Sequence, residues 1–160
     1  MPKDLSWYHV TYLSYRLLGY ANEVGEAFRA LVHVNWVRLS YGVASAYVLA
    51  DTNDKSRKTA ASLPENEEGR TAKIGAAAFD TLLWQALASV IIPGFTINRI
   101  CAGSLLTMAK VIPQVAEVKR KWATTFIGLG VIPFIVHPID TGVHVLMDNT
   151  TRKFTGKPPE

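Results

Sequence analysis

An apolar block of 24 residues, 74–97, constrains the fold more strongly than any other part of the chain. It contains one charged residue, Asp80, and basic residues (Lys73 and Arg99) lie just outside its ends. As a helix it would extend roughly 36 Å, which exceeds a bilayer hydrocarbon core of about 30 Å. A helix in water must turn one face to solvent and rarely stays apolar over such a length. The block therefore predicts a membrane-spanning helix.

Charge in the rest of the chain is unevenly distributed. The net charge is only +4, from 17 basic and 13 acidic residues among 160, and the mean hydropathy is +0.13. Charged residues gather at the N-terminus, in 51–73, in 110–121 and after residue 147. Polar blocks that alternate with uncharged blocks are typical of multi-pass membrane proteins. The pattern predicts one all-α membrane domain, a small bundle of about three spans with amphipathic interfacial helices. The alternative is a soluble all-α domain with unusually buried helices.

Two further blocks predict weaker spans. The block 30–50 is predicted as the first span, although it contains Arg38, which should lie near the interface or face the bundle interior because a central arginine is costly in lipid. The block 122–139 is predicted as the third span, although Pro133 and Pro138 interrupt it. The segment 51–73 between the first two spans is predicted to be a solvated polar loop.

The remaining segments are predicted as amphipathic interfacial helices and a tail. Pro93–Gly94 should end or kink the second span, and Pro138 suits the first turn of a new helix. The first amphipathic helix is expected either to lie in the bilayer interface or to cap the bundle, and Arg16, Asn22, Glu23, Glu26 and Arg29 mark the side that should face water. The predicted segments are 4–29, 98–112 and 140–154 for the helices and 155–160 for the tail.

Small residues provide two more expectations. Gly42, Ala46 and Ala50 lie four residues apart, and such a stripe lets helices approach closely in lipid, so it is a candidate for self-association. The lone cysteine, Cys101, excludes an internal disulfide and a thiolate metal site. It is expected to pack as a small apolar residue.

The first candidate site is an intramembrane polar one centred on Asp80. An acid within a span is by default a proton or ion site, or the partner of a basic group. Its available partners from the apolar blocks are Arg38 and Arg99. A structural ion pair between helices is the alternative interpretation.

The second and weaker candidate is the sequence HPIDTGVH, which contains His137, Asp140 and His144. Residues at i, i+3 and i+7 share a helix face, and two imidazoles with a carboxylate could hold a divalent metal. Pro138 at the start of a helix would instead leave His137 outside and Asp140 in the first turn. No phosphate loop, zinc-protease motif or nucleophile elbow is present, so neither catalysis nor a cofactor is expected. Interspersed acids also argue against a nucleic-acid surface.

Several long segments resemble the mitochondrial fission process protein family, also described as the mitochondrial 18 kDa protein family. The likeness extends from Gly19 to Lys153, most of the chain. It is carried by GYANEVGEAFR at 19–29, LSYGVASAYVLAD at 39–51, DTLLWQALASVIIPGFTINR at 80–99, RKW at 120–122 and IPFIVHPID at 132–140.

The resemblance implies a non-enzymatic, multi-pass protein of the mitochondrial inner membrane. Such a protein would promote mitochondrial fission and preserve inner-membrane integrity and cell viability. Its partners would be the lipid bilayer and other inner-membrane proteins, and the resemblance implies no catalytic residue. The polar residues in the apolar blocks leave an alternative function, a transport or leak component for protons or small solutes. The sequence HPIDTGVH leaves a third, an enzyme subunit that binds a metal.

Overall fold

The computed structural model describes residues 18–155, and all regular secondary structure within them is helical, as predicted. Residues 4–17 of the first predicted helix and residues 156–160 of the tail lie outside the described residues. The elements are α1 (Ala21–Phe28), α2 (Val34–Ser62), α3 (Arg70–Gln85), a π-helical segment (Ala86–Ile91), α4 (Ile92–Val111), α5 (Glu117–Asn149) and α6 (Arg152–Thr155).

Pro93 does not end the second apolar helix. The α3 helix, the π-helical segment and α4 form one continuous helix, Arg70–Val111, with Pro93 in the first turn of α4. A proline ring normally clashes with the carbonyl four residues earlier, here that of Ser89. The wider turn of a π-helix at Ala86–Ile91 accommodates the ring without a break. The helix therefore does not end at Pro93, and the predicted amphipathic segment 98–112 continues the same helix to Val111.

The last long helix also continues through its prolines. Pro133 and Pro138 both lie inside α5, which runs unbroken from Glu117 to Asn149. The predicted helix start at Pro138 is wrong, and His137 lies inside the helix. The two uninterrupted helices, of 42 and 33 residues, are the helices among residues 18–155 that are long and apolar enough to cross a membrane.

The α2 helix differs from the predicted first span and loop. It begins at Val34, after His33, whose Nδ1 accepts a hydrogen bond of 3.2 Å from the Asn35 amide. It then continues to Ser62, so that the first half of the predicted polar loop is helical and only 63–69 connects it to α3. Its C-terminal half is charged, and α2 is not among the helices with the hydropathy of a span. A third span is thus not confirmed.

The short α1 helix packs among the longer ones because small residues allow close approach. A Cβ on Gly25 would collide with the Ser40 side chain of α2. A Cβ on Gly128 would lie 2.6 Å from Cys101 Sγ and 3.0 Å from Ala27 Cβ. Ala27, Ile97 and Cys101 form a buried apolar cluster, which confirms the packing predicted for Cys101.

The surface of the two long helices is rich in large apolar side chains, and several polar residues are buried. Large apolar side chains on the two long helices are exposed, with Phe126 at 65% and Phe134 at 78%. The interior holds polar residues beside the apolar ones: Asn22, Glu23, Glu26, Asp80, Gln85, Thr124 and Thr125. The residues Asn22, Glu23 and Glu26, predicted to face water, are therefore among the most buried polar residues described.

Candidate functional site

Glu26 is the centre of a hydrogen-bond cluster that joins three helices. Its Oε2 accepts from Arg29 Nε at 2.6 Å and from Asn98 Nδ2 of α4 at 2.9 Å. Its Oε1 accepts from Arg29 Nη2 at 2.7 Å and from the Tyr41 hydroxyl of α2 at 3.0 Å. Gly94 leaves the space that Tyr41 occupies, because a Cβ there would collide with the hydroxyl. We call Glu26, Arg29, Tyr41 and Asn98 the Glu26 cluster.

These four hydrogen bonds stabilise Glu26 as a carboxylate. Burial disfavours the charged form, but the hydrogen bonds from Arg29, Asn98 and Tyr41 outweigh it and lower the pKa of Glu26 below its usual value. Burial and the same carboxylate raise the pKa of Tyr41. The cluster therefore surrounds a buried carboxylate with four hydrogen bonds, two of them from the half-exposed Arg29, and such bonds allow a buried charge to be tolerated.

Glu23, one turn earlier on α1, has the opposite surroundings. Glu23 is only 1% exposed, and neither of its carboxyl oxygens accepts a hydrogen bond from another described residue. The adjacent Asn22 uses its Nδ2 to donate to the Val90 carbonyl at 3.0 Å, while its Oδ1 is buried without a donor. Burial raises the pKa of Glu23 to about 7; its own backbone amide opposes the rise and the Asp140 carboxylate adds to it.

A polar cavity of about 200 Å³ lies between α2, the π-helical segment and α5. On its wall Asp51 accepts from Gln85 and pairs with Lys55 Nζ at 2.9 Å. The Trp84 indole N–H is buried there without an acceptor among the described side chains. The lining residues are Gly19, Tyr20, Tyr47, Asp51, Lys55, Trp84, Gln85, Ala88, Ser89, Val136 and Asp140.

Asp80 forms a salt bridge with Arg152, a partner that the sequence did not indicate. Arg152 Nε and Nη2 donate to the two carboxylate oxygens at 2.6 and 2.7 Å, and both side chains are almost fully buried. Arg152 also donates to Asp148 at 2.9 Å. The predicted partners are wrong: Arg38 is exposed, and Arg99 donates to Asn98 Oδ1 at 2.7 and 3.1 Å. The geometry is that of the structural ion pair named above as the alternative.

The HPIDTGVH residues do not converge on a metal site. No group of three His, Cys, Asp or Glu residues suited to a metal occurs within residues 18–155. His137 is exposed, and Asp140 lines the polar cavity. His144 Nδ1 lies 3.1 Å from Arg152 Nη1, and its ring packs against Trp84 with centroids 5.1 Å apart. Asp140 therefore lies near Glu23, whereas His144 lies beside Arg152, the partner of Asp80.

Sequence reasoning missed the residues that organise the interior. The sequence does not indicate Asn98, Tyr41 or Arg152 as site residues, and its pattern predicts that α1 lies at the bilayer interface or caps the bundle. The spacing of Glu26 and Arg29, three residues apart on a helix, was a usable signal for an ion pair. Nothing local could identify Arg152, which is 72 residues from Asp80. The small residues Gly42, Ala46 and Ala50 all lie on the exposed side of α2.

The fold and these clusters define a class: small all-α proteins with two candidate membrane helices and ion pairs buried between helices. Within it, this chain belongs to the Mitochondrial 18 kDa protein family, whose family model matches residues 8–147. The family resemblance is confirmed.

Curated relatives match over most of their length. The chain is 56% identical over 146 residues to Mitochondrial fission process protein 1 of Homo sapiens, covering 89% of this chain and 87% of that protein. It is 55% identical over 138 residues to the Danio rerio protein of that name, covering 86% and 82%. The Caenorhabditis elegans protein of that name is 50% identical over 143 residues, covering 89% and 86%. No solved structure shows a significant match.

Proposed function

We propose that this protein is embedded in the mitochondrial inner membrane as a multi-pass protein, promotes mitochondrial fission and maintains inner-membrane integrity without catalysing a reaction. The fission role is supported by three relatives at 50–56% identity that are named for that process. The membrane role is supported by the distribution of apolar side chains.

That distribution is the observation that carries the proposal. In the most apolar windows of Arg70–Val111 and Glu117–Asn149, only 22% and 11% of the residues are buried within the protein. The core helix of a water-soluble domain would bury most of such a window. Exposed apolar surface costs roughly 25 cal/mol per Å² in water, and lipid removes that cost. The two helices thus suit a hydrocarbon environment.

Helix length suggests how such a protein could act on membrane shape. At about 1.5 Å per residue, the two helices extend roughly 63 and 50 Å, well beyond a hydrocarbon core of about 30 Å. Their ends must therefore tilt or project into the headgroup region, where they occupy area beside the lipids. Lipid headgroups and other inner-membrane proteins are the partners that these ends would contact.

Deletion of the gene followed by rescue tests the fission role. We expect an elongated, more connected mitochondrial network, restored by the wild-type chain. Rescue should fail with Phe134→Asp, which places a charge on the exposed apolar face of α5, and succeed with Phe134→Leu as the matched control. A network of normal length and branching after deletion would contradict the proposal.

Membrane insertion and the number of spans need a separate measurement. The protein should stay in the membrane pellet after alkaline carbonate extraction. Protease cleavage of tags at residue 66 and at the C-terminus, in mitochondria and mitoplasts, then gives the sides on which they lie. Release by carbonate would refute an integral membrane protein whatever the imaging shows.

Self-association through Gly42, Ala46 and Ala50 is a further part of this proposal. These residues face outward, and an added Cβ at Gly42 would meet nothing within 4 Å, so a second helix has room to approach. In membranes, Ala46→Cys should form a disulfide-linked dimer on mild oxidation. Ala44→Cys, at the fully buried position two residues away, is the control and should stay monomeric. Equal cross-linking of both variants, or of neither, would contradict this interface.

A transport or leak component is the second candidate, favoured by the polar cavity beside Asp51 and Asp140. Buried polar groups between helices are what solute pathways use. Reconstituted protein should then carry protons or small solutes across liposomes, and the Asp80→Asn variant should carry fewer. Equal flux would remove Asp80 as the site, and no flux above that of empty liposomes would reject the candidate.

A further inference from the structure

Three buried acceptor atoms on adjacent residues in the first turn of α1 have no hydrogen-bond donor among residues 18–155. They are Oε1 and Oε2 of Glu23 and Oδ1 of Asn22. A buried polar atom is normally hydrogen-bonded, so three such atoms on adjacent residues require a donor that heavy-atom positions alone do not reveal. A hydrogen on one carboxyl oxygen is the simplest such donor, because it converts one acceptor into a donor for another.

Within residues 18–155, the charged groups near Glu23 do not donate a hydrogen bond to its carboxyl oxygens. On its own helix, Arg29 is engaged by both oxygens of Glu26. From α5, Asp140 adds negative charge, and from α2 the Tyr41 hydroxyl already donates to Glu26. On α4, Arg99 is directed to Asn98 and to the Phe95 ring, 5.4 Å away. On α2, Asp51 and Lys55 are paired with each other at 2.9 Å.

We propose that Glu23 is a proton-binding site of this protein. In the packed structure its carboxyl group carries a proton, and the O–H donates to a neighbouring buried acceptor. Loss of that proton leaves a carboxylate beside Asp140 with no donor, which weakens the packing of α1 against α5. The proton is thus the ligand that completes the contact between these two helices.

The pH window follows from the shift of the pKa from 4.5 to about 7. Between these values the folded protein holds a proton that the unfolded chain has released, so stability falls as pH rises through this range and levels off above it. The folding equilibrium constant should change by up to about tenfold per pH unit there, the slope for one proton. Occupancy of the site in the folded protein itself changes near neutral pH.

Infrared spectroscopy of the full chain in detergent tests the site directly. The wild-type protein should show a protonated-carboxyl C=O band at pH 6 that disappears with a midpoint near pH 7. Glu23→Gln, which resembles the protonated group in shape and in having a donor, should lack that band. Glu26→Gln is the matched control and should retain it, because Glu26 is a carboxylate at these pH values. Absence of the band in wild type, or its persistence in Glu23→Gln, would overturn the proposal.

Thermal unfolding and a second variant, Asp140→Asn, keep the proposal testable even if one of the variants fails to fold. Wild type should lose stability from pH 5 to pH 7, and Glu23→Gln should lose clearly less. Asp140→Asn removes the neighbouring negative charge and should move the midpoint of the carboxyl band to lower pH. A wild-type pH profile in Glu23→Gln, or an unmoved midpoint in Asp140→Asn, would contradict the proposed protonation of Glu23 beside Asp140. None of these outcomes depends on the role in fission.

Discussion

Glu23 and Glu26 lie one helical turn apart on α1, and both are almost inaccessible to solvent, yet their surroundings are opposite. Glu26 accepts four hydrogen bonds from α1, α2 and α4, whereas Glu23 accepts none from another described residue. The pKa of Glu26 is accordingly lowered and that of Glu23 is raised to about 7. The comparison teaches that burial alone does not decide charge: the hydrogen-bond donors around the carboxyl group do.

Removal of the Glu26 carboxylate should have the largest effect. In Glu26→Ala, Arg29, Tyr41 and Asn98 lose their common acceptor, and a hydrogen bond to a charged group contributes about 1.5–3 kcal/mol. We expect a large fall in the thermal unfolding midpoint in detergent. Glu23→Ala, the matched truncation, removes a side chain without such bonds and should lose clearly less. If both truncations cost the same, the contrast between the two glutamates would be wrong.

Arg152→Met would turn Asp80 into a second buried acid without donors. The variant removes both hydrogen bonds to Asp80, and we expect a loss of about 3 kcal/mol, at the lower end for a broken buried pair. The lower end is appropriate because a cavity of about 260 Å³ beside Asp80 and His144 can admit water.

A double variant distinguishes the two possible causes of the stability loss in Arg152→Met, which are the broken ion pair and the lost packing of the side chain. Arg152→Met combined with Asp80→Asn removes the uncompensated charge and should recover part of the thermal stability. No recovery would mean that the loss came from packing of the arginine stem.

Arg29→Met should make Glu26 resemble Glu23 in its response to acid. The Arg29 side chain is 44% exposed, so its ion pair is screened by water and we expect a loss of only about 1–2 kcal/mol. Because the pKa of Glu26 is lowered in the folded protein, its contribution to stability is present above the unfolded pKa and is lost as pH falls. Acid unfolding of Arg29→Met should therefore begin at a higher pH than in wild type. An unchanged acid transition would show that Asn98 and Tyr41 suffice to hold the charge.

The sequence predicts the local properties of these helices but not the tertiary contacts that surround Glu23, Glu26 and Asp80. The length of the block 74–97 correctly predicted a long apolar helix, because length and hydropathy are local properties. The prolines at 93, 133 and 138 were misleading, since a π-helical turn and continuous packing override their usual effect. The polar face of α1 was assigned to water, because helical periodicity indicates a polar side without telling whether solvent or other helices cover it. The salt bridge of Asp80 with Arg152 depends on tertiary packing, which no local spacing reveals.

Tyr41→Phe should give the smallest effect and the sharpest test of how Glu26 is held. The substitution removes one hydroxyl and leaves the bonds from Arg29 and Asn98, so we expect a loss of about 1 kcal/mol, typical of one hydrogen bond. A double-mutant cycle with Glu26→Gln isolates the pair, because a real Tyr41–Glu26 bond makes the two losses less than additive. Strict additivity would mean that Tyr41 contributes by filling the space beside Gly94, and the cluster would then rest on Arg29 and Asn98 alone.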